Sequence, residues 1–294
     1  MKHAYLLLIV LPLLLIGCMA PQLEREDVPV HWGIRLDNAD HPQIFSENFA
    51  YTGPSTPLLV EIPVSADSNG LPIISHAGLT SLAGKAQQAN APLTIALTTT
   101  FSKELFPKGE VQDKKAWFEA YRQEIADIVD IFGPGPPNRL ILGNDWKAVE
   151  QEEEQWISLL QSLRSQHPGI SFGYGTLAEE NVPTWVNHCD FLAIEYPALA
   201  DPNPKRRAME LNPMIAAKAQ ESELPLLIYR ANLMGPFKAI ALKNQLRFWP
   251  EEMDLTGIFI NSLYPRIAPL DTTSYFGLHT SPDLLDFLKE YREE

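Results

Sequence analysis

In this 294-residue chain, residues 139–174 read RLILGNDWKAVEQEEEQWISLLQSLRSQHPGISFGY. This stretch begins with the apolar run Arg139–Gly143, continues through an amphipathic segment at 147–166 and ends with a second apolar run, Ile170–Tyr174. Short apolar runs indicate buried strands, whereas a 3.6-residue apolar repeat indicates a helix. The stretch therefore predicts two parallel strands joined by a helix.

The same alternation extends in both directions along the chain. Amphipathic segments near 76–90, 114–132, 205–222, 236–248 and 282–292 interleave with eight strand-like runs: Val30–Leu36, Leu58–Val64, Leu93–Thr99, Arg139–Gly143, Ile170–Tyr174, Phe191–Tyr196, Leu224–Tyr229 and Gly257–Leu263. Eight strands and this length are typical of an α/β (β/α)8 TIM barrel. A doubly wound open sheet is the alternative, but no Gly-rich fingerprint follows the first run. We expect reduced helices after strands one and five, at 38–56 and 182–188.

Polar and aromatic residues follow the predicted strands. Because barrel active sites lie at the carboxyl ends of the strands, these residues are the candidate binding site. They are Arg35, Asp37, Asn144, Asp145, Trp146, Tyr174, Glu195, Tyr196, Tyr229, Arg230, Asn261 and Tyr264. Aromatic rings beside hydrogen-bonding groups suit saccharides, although strand ends are often polar for structural reasons alone.

The order of short motifs in the second half of the chain adds a resemblance. Trp117 and Tyr121 precede Leu140–Trp146, and then come Trp156, Arg164, Gly169–Tyr174, Val182–Trp185, Asp190–Pro197 and Tyr275–Leu278. From about residue 115 to 280, this order resembles TIM-barrel glycoside hydrolases of the family 113 β-mannanase type. The resemblance implies a saccharide ligand and a pair of catalytic carboxylates.

The resemblance places the acid/base residue of the family at Asp145. The motif in the family is Gly-Asn/Thr-Glu, and here it is Gly143-Asn144-Asp145. Aspartate has the required carboxyl group, but its arm is one methylene shorter, and misplacing a catalytic group by about 1 Å can cost about a hundredfold in rate. Alternatively, Asp145 caps a helix that begins at Trp146 or Lys147.

The nucleophile position of the family holds an arginine in this chain. The family motif is Pro, three apolar residues and Thr-Glu, whereas here Pro225 is followed by Leu226–Ile228, Tyr229 and Arg230. A guanidinium is neither a nucleophile nor a base near neutral pH, so the retaining mechanism is not expected. Tyr229 remains a remote alternative nucleophile, because tyrosine serves this role in sialidases.

Two further carboxylates have alternative interpretations. Glu195 could join Asp145 in an inverting mechanism if about 6.5–9.5 Å separates them, but an ion pair with Arg230 is the preferred interpretation. Glu61 alternates with apolar neighbours in its run, so we expect it inside the barrel, paired with Arg35.

These observations predict a barrel that binds an oligo- or polysaccharide and has impaired or lost hydrolysis. One rival is an active glycosidase that uses Asp145 with Glu195. A second rival is a structural or assembly protein that binds a protein partner. If Arg230 is unpaired, we also expect a preference for sugars with an acidic group, because a carboxylate is its natural partner.

The N-terminus predicts a lipid anchor. Lys2 precedes the apolar run Ala4–Ile16, which is too short to span a bilayer, and Leu15-Ile16-Gly17-Cys18 resembles the lipobox of bacterial lipoproteins. The alternative is an ordinary secretory signal. We predict a signal peptide at 1–17, a lipidated tether at 18–29 and the barrel domain at 30–294. Met19 after Cys18 favours the outer membrane.

Composition narrows the possible partners. The net charge of −14 disfavours nucleic acid and anionic lipid, so contact with the membrane is expected through the anchor alone. The second cysteine, Cys189, precedes an apolar strand and is predicted to be a buried thiol. The six scattered histidines from His31 onward show no paired spacing, so neither a metal nor a cofactor is expected. Oligomeric state is not indicated.

Replacement of Cys18 by serine should abolish the anchor, because serine has no thiol to carry the diacylglycerol. We expect the Cys18→Ser protein to leave the membrane fraction or to accumulate as an uncleaved precursor. Membrane fractionation with radiolabelled fatty acid measures this, and Cys189→Ser is the matched control that should keep the label. If Cys18→Ser remains lipid-labelled in membranes, the anchor assignment is wrong.

Overall fold

The computed structural model describes residues 32–36, 56–99, 111, 113–133, 137–144, 146–196, 203–231 and 255–260. The predicted segments at 1–31, 38–55, 236–248 and 282–292 lie outside these residues. In chain order, the strands are β1 (Trp32–Leu36), β2 (Leu58–Ala66), β3 (Pro72–Ile74), β4 (Leu93–Thr99), β5 (Arg139–Asn144), β6 (Ser171–Leu177), β7 (Phe191–Tyr196), β8 (Leu226–Ala231) and β9 (Leu255–Ile260). The α-helices are α1 (Leu79–Ala89), α2 (Lys114–Phe132), α3 (Glu153–Gln166) and α4 (Pro204–Ser222).

The eight long strands form a closed parallel barrel. Each pairs in parallel with its neighbours in the order β1-β9-β8-β7-β6-β5-β4-β2, and β1 also pairs with β2, which closes the ring. Ile34 of β1 lies opposite Ile260 of β9 and opposite Leu58 of β2. The predicted (β/α)8 barrel is confirmed, and the open sheet is excluded.

The short strand β3 was not predicted. It pairs antiparallel with the end of β2, from Val64 opposite Ile74 to Ala66 opposite Pro72. The Asp67 side chain accepts hydrogen bonds from the backbone N–H groups of Asn69 and Leu71, 2.8 Å each, and so holds the turn. Three residues are too few to produce a periodic signal in the sequence.

The helical layer is reduced after β6, as predicted for strand five. Between β6 and β7 the chain forms only a 3-10 helix, Thr184–His188, where the other described crossovers have α-helices. None of the helices in the described part of the chain is long and apolar enough to cross a membrane.

Two separate cores lie on the two faces of the barrel. The inner core is a small cluster of side chains enclosed by the strands, namely Leu59, Ala96, Ile141, Phe191, Ala193, Leu227, Tyr229 and Phe259. The outer core lies between strands and helices and is much larger. Because both faces are covered, the residues of β4 and β5 are buried on both faces, apart from Thr99, Arg139 and Asn144 at the strand ends.

The outer core contains an aromatic cluster. Trp156 of α3 stacks on Trp185 with ring centroids 4.3 Å apart and an interplanar angle of 6°. The other members of the cluster are Trp117, Phe118, Tyr121, Trp146 and Tyr174. Each buried indole N–H of Trp146 and Trp156 donates to a backbone carbonyl, that of Leu142 at 2.8 Å and that of Val149 at 2.9 Å.

Helix starts follow capping chemistry where the sequence provides it. Asp113 caps α2 by accepting from the backbone N–H of Ala116 at 2.9 Å, and Asn203 caps α4 in the same way through Arg206 at 3.1 Å. The third helix begins at Glu153, not near residue 147. The expectation that Asp145 caps a helix starting at Trp146 or Lys147 is therefore wrong, because residues 147–151 form a turn.

Replacement of Trp156 by phenylalanine should destabilise the barrel. The change leaves the carbonyl of Val149 without its indole donor and leaves a gap beside Trp185, at a cost of about 2–3 kcal/mol. We expect a fall in melting temperature of roughly 2–4 °C per kcal/mol, measured by calorimetry. The exposed Gln161 on the same helix is the control, and Gln161→Ala should change stability by less than about 0.5 kcal/mol. Equal melting temperatures for both variants would contradict this role of Trp156.

Candidate functional site

Four charged side chains from four strands meet at the carboxyl end of the barrel. They are Arg35 on β1, Glu61 on β2, Glu195 on β7 and Arg230 on β8. The Arg230 guanidinium binds Glu61 through two hydrogen bonds, Nε to Oε1 at 2.5 Å and Nη2 to Oε2 at 3.1 Å. Its Nη1 donates to Glu195 Oε2 at 2.8 Å. Arg35 Nε lies 3.7 Å from Glu61 Oε1. Arg230 on β8 is therefore the centre of an ionic network that links Glu61 on β2 to Glu195 on β7.

A β-bulge explains why Arg230 points into the barrel. Strict alternation along β8 would place Leu227 and Tyr229 inside and Arg230 outside. The register of β7 and β8 shifts, however: Ile194 lies opposite Ile228, whereas the next residue, Glu195, lies opposite Arg230. The extra residue in β8 re-aims Arg230 toward the mouth.

The network is partly buried and electrically balanced. The side chains of Arg35, Glu61, Glu195 and Arg230 are 4%, 12%, 19% and 19% exposed. Burial disfavours the charged guanidinium, but the carboxylates of Glu61 and Glu195 outweigh it and raise the pKa of Arg230. Within the described part of the mouth, the two cations of the network are matched by two anions, and Arg230 is paired with both carboxylates. The condition for the acidic-sugar hypothesis, an unpaired Arg230, is therefore not met.

The predicted ion pairs are confirmed, but the sequence did not indicate how they connect. Glu195 pairs with Arg230, and Glu61 contacts Arg35, as expected. The stronger contact of Glu61 is with Arg230, 169 positions away along the chain. The inward position of Glu61 was the available signal, and only barrel closure shows which cation it faces.

Asn144 is held at the end of β5. Its amide oxygen accepts from the backbone N–H of Thr99 at 3.2 Å and from the Thr99 hydroxyl at 3.3 Å, and its carbonyl accepts from the same hydroxyl at 2.8 Å. The preceding Gly143 has φ +104° and lies against the indole of Trp146, where a Cβ would be only 2.0 Å from Nε1. Asn144 thus lies at the mouth, fixed by two strands.

Three of the aromatic residues predicted to lie at the binding site are not at the mouth. Trp146 and Tyr174 belong to the outer aromatic cluster, and Tyr196 donates a hydrogen bond from its hydroxyl to Asn212 of α4 at 3.0 Å. All three rings are at most 2% exposed. Tyr174 and Tyr196 face the helices because alternate residues of a strand point to opposite faces, whereas Trp146 follows the end of β5 and packs against Trp117 of α2. In this structure all three are core side chains.

Tyr229 lies inside the barrel, beneath the ionic network. Its ring is 1% exposed, and the Arg230 guanidinium carbon lies 5.3 Å from the ring centroid. Burial raises the pKa of the Tyr229 hydroxyl well above its ordinary value. The phenol is therefore protonated at neutral pH, which argues against its use as a nucleophile.

The remaining candidate residues include five that the structure does not describe and one buried cysteine. Asp37, Asp145, Asn261, Tyr264 and Cys18 lie outside the described residues. Burial raises the pKa of the Cys189 thiol to about 12, so Cys189 is the inert buried thiol that was predicted. Within the described ranges, no group of three His, Cys, Asp or Glu side chains could hold a metal ion.

Removal of the Arg230 guanidinium should destabilise the barrel, because Glu61 and Glu195 would lose their shared partner. Breaking a buried ion pair costs about 3–5 kcal/mol, and the partial exposure of these side chains places the expected loss for Arg230→Ala at or below about 3 kcal/mol. Urea unfolding measures it. Arg230→Lys keeps the charge without the bidentate geometry and should fall between wild type and Arg230→Ala.

Arg206→Ala is the control for this experiment. Arg206 is 64% exposed and lies 3.8 Å from Glu210, a contact whose loss should change stability by less than about 1 kcal/mol. If Arg230→Ala is no less stable than Arg206→Ala, the network does not stabilise the barrel.

Neither a protein-family model nor a curated protein sequence matches this chain. Solved structures match it by fold. A GH113 β-mannanase from Alicyclobacillus acidocaldarius, in complex with ManMIm, has a TM-score of 0.64 and 16% identity, over 91% of this chain and 98% of the mannanase. A GH113 β-1,4-mannanase complex gives a TM-score of 0.62 and 15% identity, over 90% and 99% of the two chains.

A β-glucuronidase from an uncultured Clostridium species also matches, with a TM-score of 0.62 and 8% identity over 90% of this chain and 50% of that one. At these identities, the similarity concerns the fold. The chain therefore has a closed (β/α)8 barrel like that of GH113 β-mannanases and of other glycoside hydrolases.

Proposed function

We propose that this chain is a lipid-anchored envelope protein whose barrel mouth binds an oligo- or polysaccharide, with hydrolysis impaired or lost. The fold neighbours named as β-mannanases and a β-glucuronidase support a saccharide as the ligand class. Cys18 and the leader at 1–17 support the anchor, with the outer membrane as the favoured location.

One observation supports the proposal that hydrolysis is impaired or lost. The Arg230 guanidinium stands at the position that the resemblance assigns to the nucleophile, and it binds the carboxylates of Glu61 and Glu195. A retaining glycosidase needs a carboxylate there, close to the anomeric carbon. Glu195 would have to give up its hydrogen bond to Arg230 before attacking or before activating water, and that exchange opposes catalysis.

The same arrangement is compatible with binding. Asn144, Glu61, Glu195 and Arg230 present amide, carboxylate and guanidinium groups at one end of the barrel. Such groups hydrogen-bond to sugar hydroxyls, and the ionic network fixes their orientation before the ligand arrives. A preorganised site loses less side-chain entropy on binding.

The test uses the full-length lipoprotein purified in detergent. We would measure binding of β-1,4-mannotetraose, cellotetraose and a glucuronate-containing tetrasaccharide by calorimetry, and product release by chromatography. We expect saturable binding of at least one oligosaccharide. We also expect product release no faster than that of the double variant Asp145→Asn/Glu195→Gln.

The same experiment separates the rival functions. If wild type hydrolyses a probe, and Glu195→Gln abolishes this while Glu179→Gln does not, the protein is an active glycosidase. Glu179 is the matched control because it is an exposed glutamate paired with Arg207 at 3.2 Å. If the wild-type protein binds none of the three probes, the proposal is overturned, and the rival in which the barrel binds a protein is favoured.

A further inference from the structure

The hydroxyl of Tyr229 is buried in the barrel without a hydrogen-bond partner among the described residues. Its oxygen has essentially no exposed surface, and it is one of few such side-chain atoms in the described part of the chain. Leaving a buried polar group unsatisfied costs about 1–3 kcal/mol, and native proteins seldom accept this without a compensating role. A phenylalanine would fill the same space without that cost.

Glycine at position 175 makes room for this hydroxyl. Tyr229 lies on β8 and Gly175 on β6, with the small Ala193 of β7 between them in the inner core. A Cβ on Gly175 would lie 3.2 Å from the Tyr229 hydroxyl oxygen and 3.1 Å from the Gly143 carbonyl oxygen. The phenol therefore reaches across β7 to a point where β6 contributes no side chain.

The hydroxyl lies beside the mouth rather than deep in the barrel. Asn144 is paired with Gly175 in the β5–β6 register, and its Cβ would be 3.3 Å from a Cβ on Gly175. Asn144 is half-buried, and Thr99 occupies its amide oxygen. Among the described residues, the neighbour of Gly175 on this side is thus a partly exposed side chain whose amide oxygen is held by Thr99.

On the basis of the saccharide binding proposed above, we infer that the Tyr229 hydroxyl is a recognition group whose missing partner is a hydroxyl of the bound sugar. The space left by Gly175 beside Asn144 gives a ligand an approach to this hydroxyl, since glycine in a strand permits close approach of a ligand. A phenol both donates and accepts hydrogen bonds, which suits a sugar hydroxyl. The site then favours ligands with a hydroxyl at that point, because an analogue without it leaves the phenol unsatisfied.

The charged and the uncharged groups at the mouth lie on different strands, which agrees with this assignment. The charged side chains lie on β1, β2, β7 and β8, whereas β5 and β6 offer an amide and a glycine. Tyr229 belongs to β8, yet it delivers its hydroxyl to the uncharged side. A sugar ring lying between the two sides would meet the ionic network on one edge and the phenol on the other.

The experiment compares Tyr229→Phe with Tyr196→Phe in the full-length lipoprotein. Both changes remove one buried phenol oxygen, but the Tyr196 hydroxyl has a partner, Asn212, on the helical side of the barrel. For the free proteins, we expect Tyr229→Phe to melt at or above the temperature of wild type and Tyr196→Phe to melt below it. For binding of β-1,4-mannotetraose, cellotetraose and the glucuronate-containing tetrasaccharide, we expect Tyr229→Phe to lose about three- to tenfold in affinity. Tyr196→Phe should bind as wild type does.

Each outcome either supports or overturns the assigned role of the Tyr229 hydroxyl. Weaker binding by Tyr229→Phe without loss of stability supports the assignment. Unchanged affinity in Tyr229→Phe overturns it while the proposed saccharide binding stands. A fall in the melting temperature of free Tyr229→Phe, as large as that of Tyr196→Phe, also overturns it, because the hydroxyl would then have a structural partner. If wild type binds none of the three probes, the proposed function fails, and the role of Tyr229 fails with it.

Discussion

A guanidinium enclosed by a β-barrel is stable only when carboxylates surround it, and Arg230 meets this condition through Glu61 and Glu195. The cost of removing each charge from water is several kcal/mol, and it is offset only by close, well-oriented partners. Here the partners come from β2 and β7, on opposite sides of β8 in the ring of strands. The ionic network therefore requires the closed barrel, and each strand must be in register for the three side chains to meet.

The chemistry available at the mouth follows from this balance. The carboxylates of Glu61 and Glu195 already accept hydrogen bonds from Arg230, which opposes their use in nucleophilic attack. The bulge in β8 is essential here, because without the extra residue Arg230 would point to the helices and Glu61 and Glu195 would lose the guanidinium that joins them. The same bulge leaves Tyr229 inside, directly under the network.

The aromatic residues near the strand ends lie on two different faces of the barrel. Trp146, Tyr174 and Tyr196, at or just beyond strand ends, belong to the outer core. Trp146 donates from its indole to the Leu142 carbonyl, and Tyr196 donates from its hydroxyl to Asn212 of α4. Tyr229 is different, because it faces the enclosed core and carries a hydroxyl that nothing in the described protein satisfies. Gly175, which has no side chain, leaves room beside the Tyr229 hydroxyl.

Apolar periodicity and length are local properties, and from them the sequence alone predicted the eight strands, four of the helices and the reduced crossover before β7. It also determined that Arg230 could not be a nucleophile, and it placed Glu61 inside the barrel by alternation. It gave no access to the direction of Trp146, Tyr174 and Tyr196, since position at a strand end does not tell which face a side chain takes. The partner of Glu61, the bulge that turns Arg230 inward and the meeting of Tyr229 with Gly175 were decided by tertiary structure alone. Each of these depends on register between strands far apart in the chain, and that register exists only once the barrel has closed.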